Sequence, residues 1–148
     1  MAREQGLIAF LDQVPHELGQ LVGLRGELIG PSIQKNIYGL KKAEVRLFDV
    51  KVGHRYLDAE AFLAVVPETW RVPVLSVGQT LRQWLNGRTI QQATDGQSAL
   101  SSHLREGIAV RPMREQLADF GDGHLQRLIL KQRSHTVSGA AVPVCTWV

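Results

Sequence analysis

The stretch "EVRLFDVKVG" at 44–53 changes its alternation in the middle. Val45 and Leu47 mark one face, and then Phe48, Val50 and Val52 mark the other, with Asp49 as a carboxylate among them. A strand has a side-chain period of two, so a switch of parity requires either a β-bulge or burial on both faces. This is the clearest strand in the chain, and any fold must give it partners.

The neighbouring segments supply candidates. "VGLRGELIG" (22–30) alternates enough to be a strand, closed by Gly30 and Pro31. Residues 4–21 place Leu7, Ile8, Leu11, Val14, Leu18 and Leu21 at helical spacing, with Pro15 expected to kink or split the helix. Asp58 is positioned to cap a helix through about Val66. "VPVL" (72–75) reads as extended, Gln79–Leu85 as helical, and Thr89 as the cap of a turn to Ala93. "QSALSSHL" (97–104) reads as helical, 107–111 as a strand and "HLQRLILK" (124–131) as a last strand. The tail "SHTVSGAAVPVCTWV" is apolar and rich in small residues, with no turn signal tying it to the rest. Strands and helices mix without regular βαβ alternation, which predicts an α+β fold with a mainly antiparallel sheet and flanking helices.

At 148 residues, 44% of them hydrophobic, the chain suits one domain with its own core and excludes a disordered composition. Seventeen Lys and Arg against fourteen Asp and Glu give a net charge of +3, which tolerates a polyanionic partner without demanding one. Twelve of the seventeen are Arg, the residue suited to bidentate phosphate contacts. One cysteine, Cys145, excludes an internal disulfide and a Cys-rich zinc site and points to a reducing cytoplasm. No apolar run approaches the ~20 residues of a membrane span. His16, His54, His103, His124 and His135 show no metal-ligand spacing.

Four stretches carry candidate chemistry. "GELIGPSIQKN" (26–36) sets Glu27 between glycines on a strand, followed by a Gly-Pro turn and Gln34, Lys35 and Asn36. "RLFDV" (46–50) sets Phe48 and Asp49 inside an apolar strand, "REGIAVRP" (105–112) puts Glu106 at a strand's mouth and Arg111 at its exit, and "RLILKQRS" (127–134) ends in Lys131 and Arg133. Taken singly, each reads as an ordinary strand end, turn or core aromatic. Taken in order, "GELIGPSIQKNIYG", "FDV", "DGQSAL…REGIAVRP" and "LK" resemble the ATP-dependent RNA ligases of the covalent nucleotidyltransferase superfamily, over about residues 22–134.

That resemblance implies a nucleotidyltransferase (adenylation) fold and the joining of an RNA 3′-hydroxyl to a 5′-phosphate through a lysyl-AMP intermediate, with ATP and Mg2+ or Mn2+. It implies that Phe48 stacks on adenine, that Glu27 binds the ribose or supports the metal, and that Glu106 coordinates the metal at the phosphate. Lys131 would stabilise charge on the α-phosphate, Arg133 would be a second basic residue of the last motif, and Arg111 would meet a phosphate or a carboxylate. A glutamate at the mouth of a buried strand is costly unless paired or metal-bound, and such a site would give Glu106 its reason.

One part of the pattern is missing. These ligases carry their nucleophile in a Lys-x-Asp-Gly motif ahead of the Gly-Glu-Leu strand, and the lysines here stand at 35, 41, 42, 51 and 131, all after Glu27. "ATDG" (93–96) has Ala93 at the lysine position and reads instead as the start of the "QSAL…REG" phrase, with Gln97 for the usual basic residue. Leu130 stands where an aromatic is common, and 135–148 departs from the pattern. The expectation is a single partial adenylation domain over 1–148, begun after its nucleophile and unable to self-adenylylate alone. A truncated gene, an incomplete gene model and one part of a split ligase that pairs with a missing N-terminal segment or second chain all fit. The expected partners are adenine nucleotide and RNA ends, with no membrane. The alternative function is a non-catalytic remnant that binds adenine nucleotide or RNA.

Overall fold

The computed structural model describes residues 5–33, 36, 38–135 and 144–147. Its mixed helices and largely antiparallel ladders make the chain α+β, as the sequence predicts. It divides into two compact units, residues 1–72 and 73–148.

In the first unit, α1 (Leu7–Leu11) precedes β1 (Val22–Ile29), β2 (Glu44–Val52), β3 (Arg55–Tyr56) and α2 (Ala59–Val65). The strands form one antiparallel sheet in the order β1-β2-β3. The parity switch of β2 has a definite cause. Arg25 pairs with Asp49 and Gly26 with Leu47, so Phe48 is an extra residue with no cross-strand partner, a β-bulge. The bulge re-phases the strand. Val45, Leu47, Val50 and Val52 all pair with Leu28, Gly26, Leu24 and Val22 on one face, while Arg46, Asp49 and Lys51 pair with Glu27, Arg25 and Gly23 on the other. Glycine is required at 26, because a Cβ there would lie 2.7 Å from both the Arg46 carbonyl oxygen and Val45 Cγ1. Burial is two-sided at the centre, where Leu47 and Val50 are 1% exposed and Asp49 only 3%.

The expected helix over 4–21 is confined to Leu7–Leu11. A proline ring clashes with the carbonyl four residues back and donates no N–H, and Pro15 therefore stops the helix at Leu11. Gly19 turns the chain at φ 87°, leaving Leu18 and Leu21 exposed. What remains of the helix is anchored by Phe10, which meets Trp70 edge-on at 5.5 Å, and by the Gln5 amide, which exchanges two hydrogen bonds with the Val45 backbone.

The second unit holds β4 (Val74–Val77), α3 (Leu81–Leu85), α4 (Ile90–Thr94), β5 (Gly107–Arg111), β6 (Leu117–Asp119), β7 (Leu125–Arg127), β8 (Leu130–Arg133) and β9 (Val144–Trp147). Capping boxes start both helices, Thr80 with Gln83 and Thr89 with Gln92. The sheet order is β4-β9-β5-β8, with β9 parallel to both its neighbours and β5 antiparallel to β8. Every residue of β5 is buried. Ile108 and Val110 pack with Leu75, Leu81, Trp84 and Ile90.

Three sequence expectations change here. Residues 97–104 are a loop rather than a helix: the Ser98 and Ser101 hydroxyls accept the backbone N–H of Leu100 and His103, and such side-chain competition disfavours helix. The expected strand 124–131 breaks into β7 and β8, and β7 pairs with the unforeseen β6 as a hairpin around "GDG". The tail that had no place in the sequence pattern contains β9, a central strand of the sheet.

Trp147 is 1% exposed at the end of β9. Trp147→Ala is expected to lower unfolding free energy by about 3–5 kcal/mol, read as a lower denaturant midpoint at unchanged slope; a change under about 1 kcal/mol would show that β9 contributes little to the sheet.

Candidate nucleotide site

The residues singled out in the sequence fall into two groups, one in each unit. In the first, Glu27 stands on β1 directly across from Arg46, one ladder position from the Phe48 bulge. Bulges commonly re-aim side chains beside functional sites. Glu27 is half-buried and makes no hydrogen bond or ion pair among the described residues. Its neighbour Arg46 is committed elsewhere, donating Nη2 to Glu44 Oε2 at 2.8 Å and Nη1 to the Thr69 carbonyl. Phe48 is half-buried. Lys35 and Gln34 lie outside the described residues, and Asn36 turns the chain at φ 50° while its amide bonds both backbone groups of Leu40.

In the second group, Glu106 immediately precedes β5, half-buried, and its carbonyl accepts the Ser134 N–H at 2.7 Å. That bond extends the β5–β8 ladder, in which Gly107 faces Arg133 and Ala109 faces Lys131. Glu106 thus stands at the entrance of β5, with Arg133 at the adjoining end of β8 and Lys131 two positions further along that strand. Gly107 is needed for this approach, since a Cβ there would lie 2.5 Å from the Gln132 carbonyl oxygen. Lys131 and Arg133 are exposed, and their side chains are uncommitted among the described residues.

A polar framework unforeseen in the sequence fixes these strand ends. Ser134, 6% exposed, donates Oγ to Asp95 Oδ1 at 2.6 Å. Gln91 bonds Asp95 and accepts from Gln132 Nε2 at 2.8 Å, tying α4 to β8. Arg105, next to Glu106, donates Nε to the Thr94 carbonyl and Nη2 to that of Ala93, both at 2.7 Å, closing the C-terminal end of α4. Desolvation, and then the charge of Arg88, hold the Arg105 guanidinium below its ordinary pKa, with Asp95 opposing. Asp95 and Ala93 belong to "ATDG", so that stretch serves as the end of a helix and an anchor for β8. The signal available beforehand was the run of residues with side-chain amides and hydroxyls around 91–98.

Arg111 differs from the other cations. It is 4% exposed, donates Nη2 to Glu115 Oε1 at 2.7 Å and lies 5.5 Å over the Trp147 ring. Glu115 also receives Arg127 through Nε at 2.8 Å and Nη2 at 2.7 Å. Of the two partners considered for Arg111, the described structure provides the carboxylate. Glu115→Ala would remove the carboxylate from a buried guanidinium and is expected to destabilise by about 3 kcal/mol, detected as a fall in melting temperature. An unchanged melting temperature would mean that Arg111 does not depend on Glu115.

Among the described residues no three His, Cys, Asp or Glu gather as a metal cluster. No helix among them is long and apolar enough to cross a membrane. Neither the curated proteins nor the solved structures compared with this chain gave a match. The family model described as RNA ligase matches residues 2–132, taking in the first helix as well as every motif from Glu27 to Lys131. With most of its length matched, and the motif residues seated on the strands described above, the chain belongs to the RNA ligase family.

Proposed function

We propose that this chain supplies the nucleotide-handling part of an ATP-dependent RNA end-joining reaction, a repair activity of the reducing cytoplasm. The family match over residues 2–132 carries the reading. The uncommitted state of Glu27, Lys131 and Arg133 supports it, because polar groups that the fold does not use remain available to a ligand.

In this reading the bulged Phe48 stacks on adenine, and Glu27 takes ribose hydroxyls or supports the metal. Lys131 neutralises negative charge developing on the α-phosphate, where a preorganised cation lowers the barrier most. Arg133 adds a second positive charge, and Arg111 acts indirectly by holding the exit of β5. Mg2+ or Mn2+ would be held by Glu106; a single carboxylate suits such an ion, which completes its shell with water and phosphate oxygens and needs no protein cage. When bound, the ion would offset phosphate charge. The nucleophilic lysine is contributed from outside these residues, by a further segment or a second chain. Its amine would attack the α-phosphate and expel pyrophosphate, and the AMP would pass to an RNA 5′-phosphate before a 3′-hydroxyl displaces it.

Because no lysine precedes Glu27 in these 148 residues, a specific observation favours a second reading for the chain alone: it binds adenine nucleotide or RNA without catalysis. Two measurements separate the possibilities. Calorimetry with ATP and manganese should give weak, metal-dependent binding, weakened about 10- to 100-fold in Phe48→Ala if the ring stacks on the base; equal heats would remove Phe48 from the site. Incubation with ATP labelled at the α-phosphate should leave the 148-residue chain unlabelled after denaturing electrophoresis. Labelling should appear when a Lys-x-Asp-Gly segment is supplied. A labelled band from the chain alone would identify an internal nucleophile, Lys35 first, and absence of label even with the segment would favour the non-catalytic reading.

A further inference from the structure

The polar face of the β1–β2–β3 sheet carries a second constellation beyond Glu27. Gly23 pairs with Lys51, Lys51 pairs with Tyr56, and Arg25 pairs with Asp49, so Arg25, Lys51 and Tyr56 share one face across three strands. Arg25 reaches over β2 to donate Nη1 to the Tyr56 hydroxyl at 2.8 Å. Its guanidinium carbon lies 5.7 Å from the Tyr56 ring centroid, and Lys51 Nζ lies 5.6 Å from the same centroid. Two cations are therefore gathered on one ring.

Neither cation forms an ion pair among the described residues. Of the acidic groups on this face, Glu44 pairs with Arg46, Asp49 is buried at 3% exposure across from Arg25, and Glu27 lies two ladder pairs from Arg25. The exposed turn that precedes β3 adds His54. Gly23 leaves the floor beside Lys51 open, the nearest atom to a Cβ there being Lys51 Cβ at 4.0 Å. Like charges held together repel, and an anion placed between them relieves that repulsion while receiving donors in a fixed array.

We infer that Arg25, Lys51 and Tyr56 form a phosphodiester-binding surface that guides a single RNA strand along the sheet face toward Glu27. The inference rests on the RNA-joining reading and extends it to residues outside the adenine and metal contacts. Tyr56 acts as the holder. Its hydroxyl and ring fix the two cations, so the phosphate meets an organised pair rather than two mobile side chains. The contact is with the backbone and is therefore indifferent to base sequence.

The test is fluorescence anisotropy of a labelled single-stranded RNA with the 148-residue chain, from 50 to 300 mM KCl, in wild type and in the double variant Arg25→Ala, Lys51→Ala. Loss of two phosphate contacts should weaken binding about tenfold at the lowest salt and flatten the slope of log affinity against log salt by about 1.4. Unchanged affinity and slope in a double variant with wild-type melting would overturn the inference. So would displacement of the RNA by polyglutamate as effectively as by unlabelled RNA of equal charge, since any acidic polymer would then suffice. Calorimetry with ATP and manganese should give equal heats for wild type and double variant. If the wild type binds RNA with the predicted dependence on Arg25 and Lys51 but gives no heat with ATP, the nucleotide reading fails and this surface stands. Loss of ATP heat in the double variant would instead assign the two cations to the nucleotide's phosphates and overturn the RNA-strand assignment.

Discussion

One inserted residue organises the sheet of the first unit. Without the extra position at Phe48, β2 would present Val45 and Leu47 to the face opposite Val50 and Val52, and no register with β1 could bury both pairs together. With it, four apolar residues line one face while Arg46, Asp49 and Lys51 line the other. The cost is a local gap in the ladder and a glycine fixed at 26. The gain is a sheet with one apolar face and one polar face, on which Glu27 and the Arg25–Lys51–Tyr56 group are neighbours.

The second unit reaches a comparable result by different means. Its β5 is buried throughout, so the candidate carboxylate stands at the entrance of the strand and the candidate cations stand on its more exposed neighbour β8. Glu106 precedes the first residue of β5, and on the neighbouring strand Arg133 pairs with Gly107 and Lys131 with Ala109. Strand ends fray unless fixed, and here Ser134, Asp95, Gln91 and Gln132 bind β8 to α4 while Arg105 closes the end of that helix. This support fixes β8 at Gln132 and Ser134, while the Lys131 and Arg133 side chains remain exposed. It also divides the arginines by role: Arg105 and Arg111 are used by the fold, whereas Arg25 and Arg133 face outward.

Much of this was legible in the sequence where the physics is local. The strands at 22–29 and 44–52 and the Thr89 cap follow from alternation and capping chemistry. The parity switch called for a bulge or for burial on both faces, and the structure has a bulge at Phe48 with both Leu47 and Asp49 buried. Periodicity misled where a competing local rule was stronger, as with Pro15 against the first helix and the serine hydroxyls against a helix at 97–104. Long-range pairing left the least trace. A parallel strand needs no turn beside it, so β9 offered only an apolar run, and a part-buried carboxylate network such as Asp95–Ser134 has no sequence spacing at all. For the candidate site, the residue types were visible one by one. Which of them the fold consumes, as it consumes Arg111, required the geometry.

The central position of β9 has a consequence for how the second unit forms. Val74 pairs with Cys145, and Ile108 with Val144, so among the described residues the ladder links β4 to β5 through a strand encoded far downstream of both. Closing so long a loop must precede the contacts that reward it, which places this sheet among slow-folding topologies. During synthesis on the ribosome, β5 and β8 can zip as an antiparallel pair while the opposite edge of β5 still lacks its neighbour. A nascent chain paused there would present a buried-type strand, rich in small and branched residues, with an open edge. Completion of the sheet therefore coincides with arrival of β9, and until then the growing polypeptide depends on its surroundings to avoid pairing with the wrong partner.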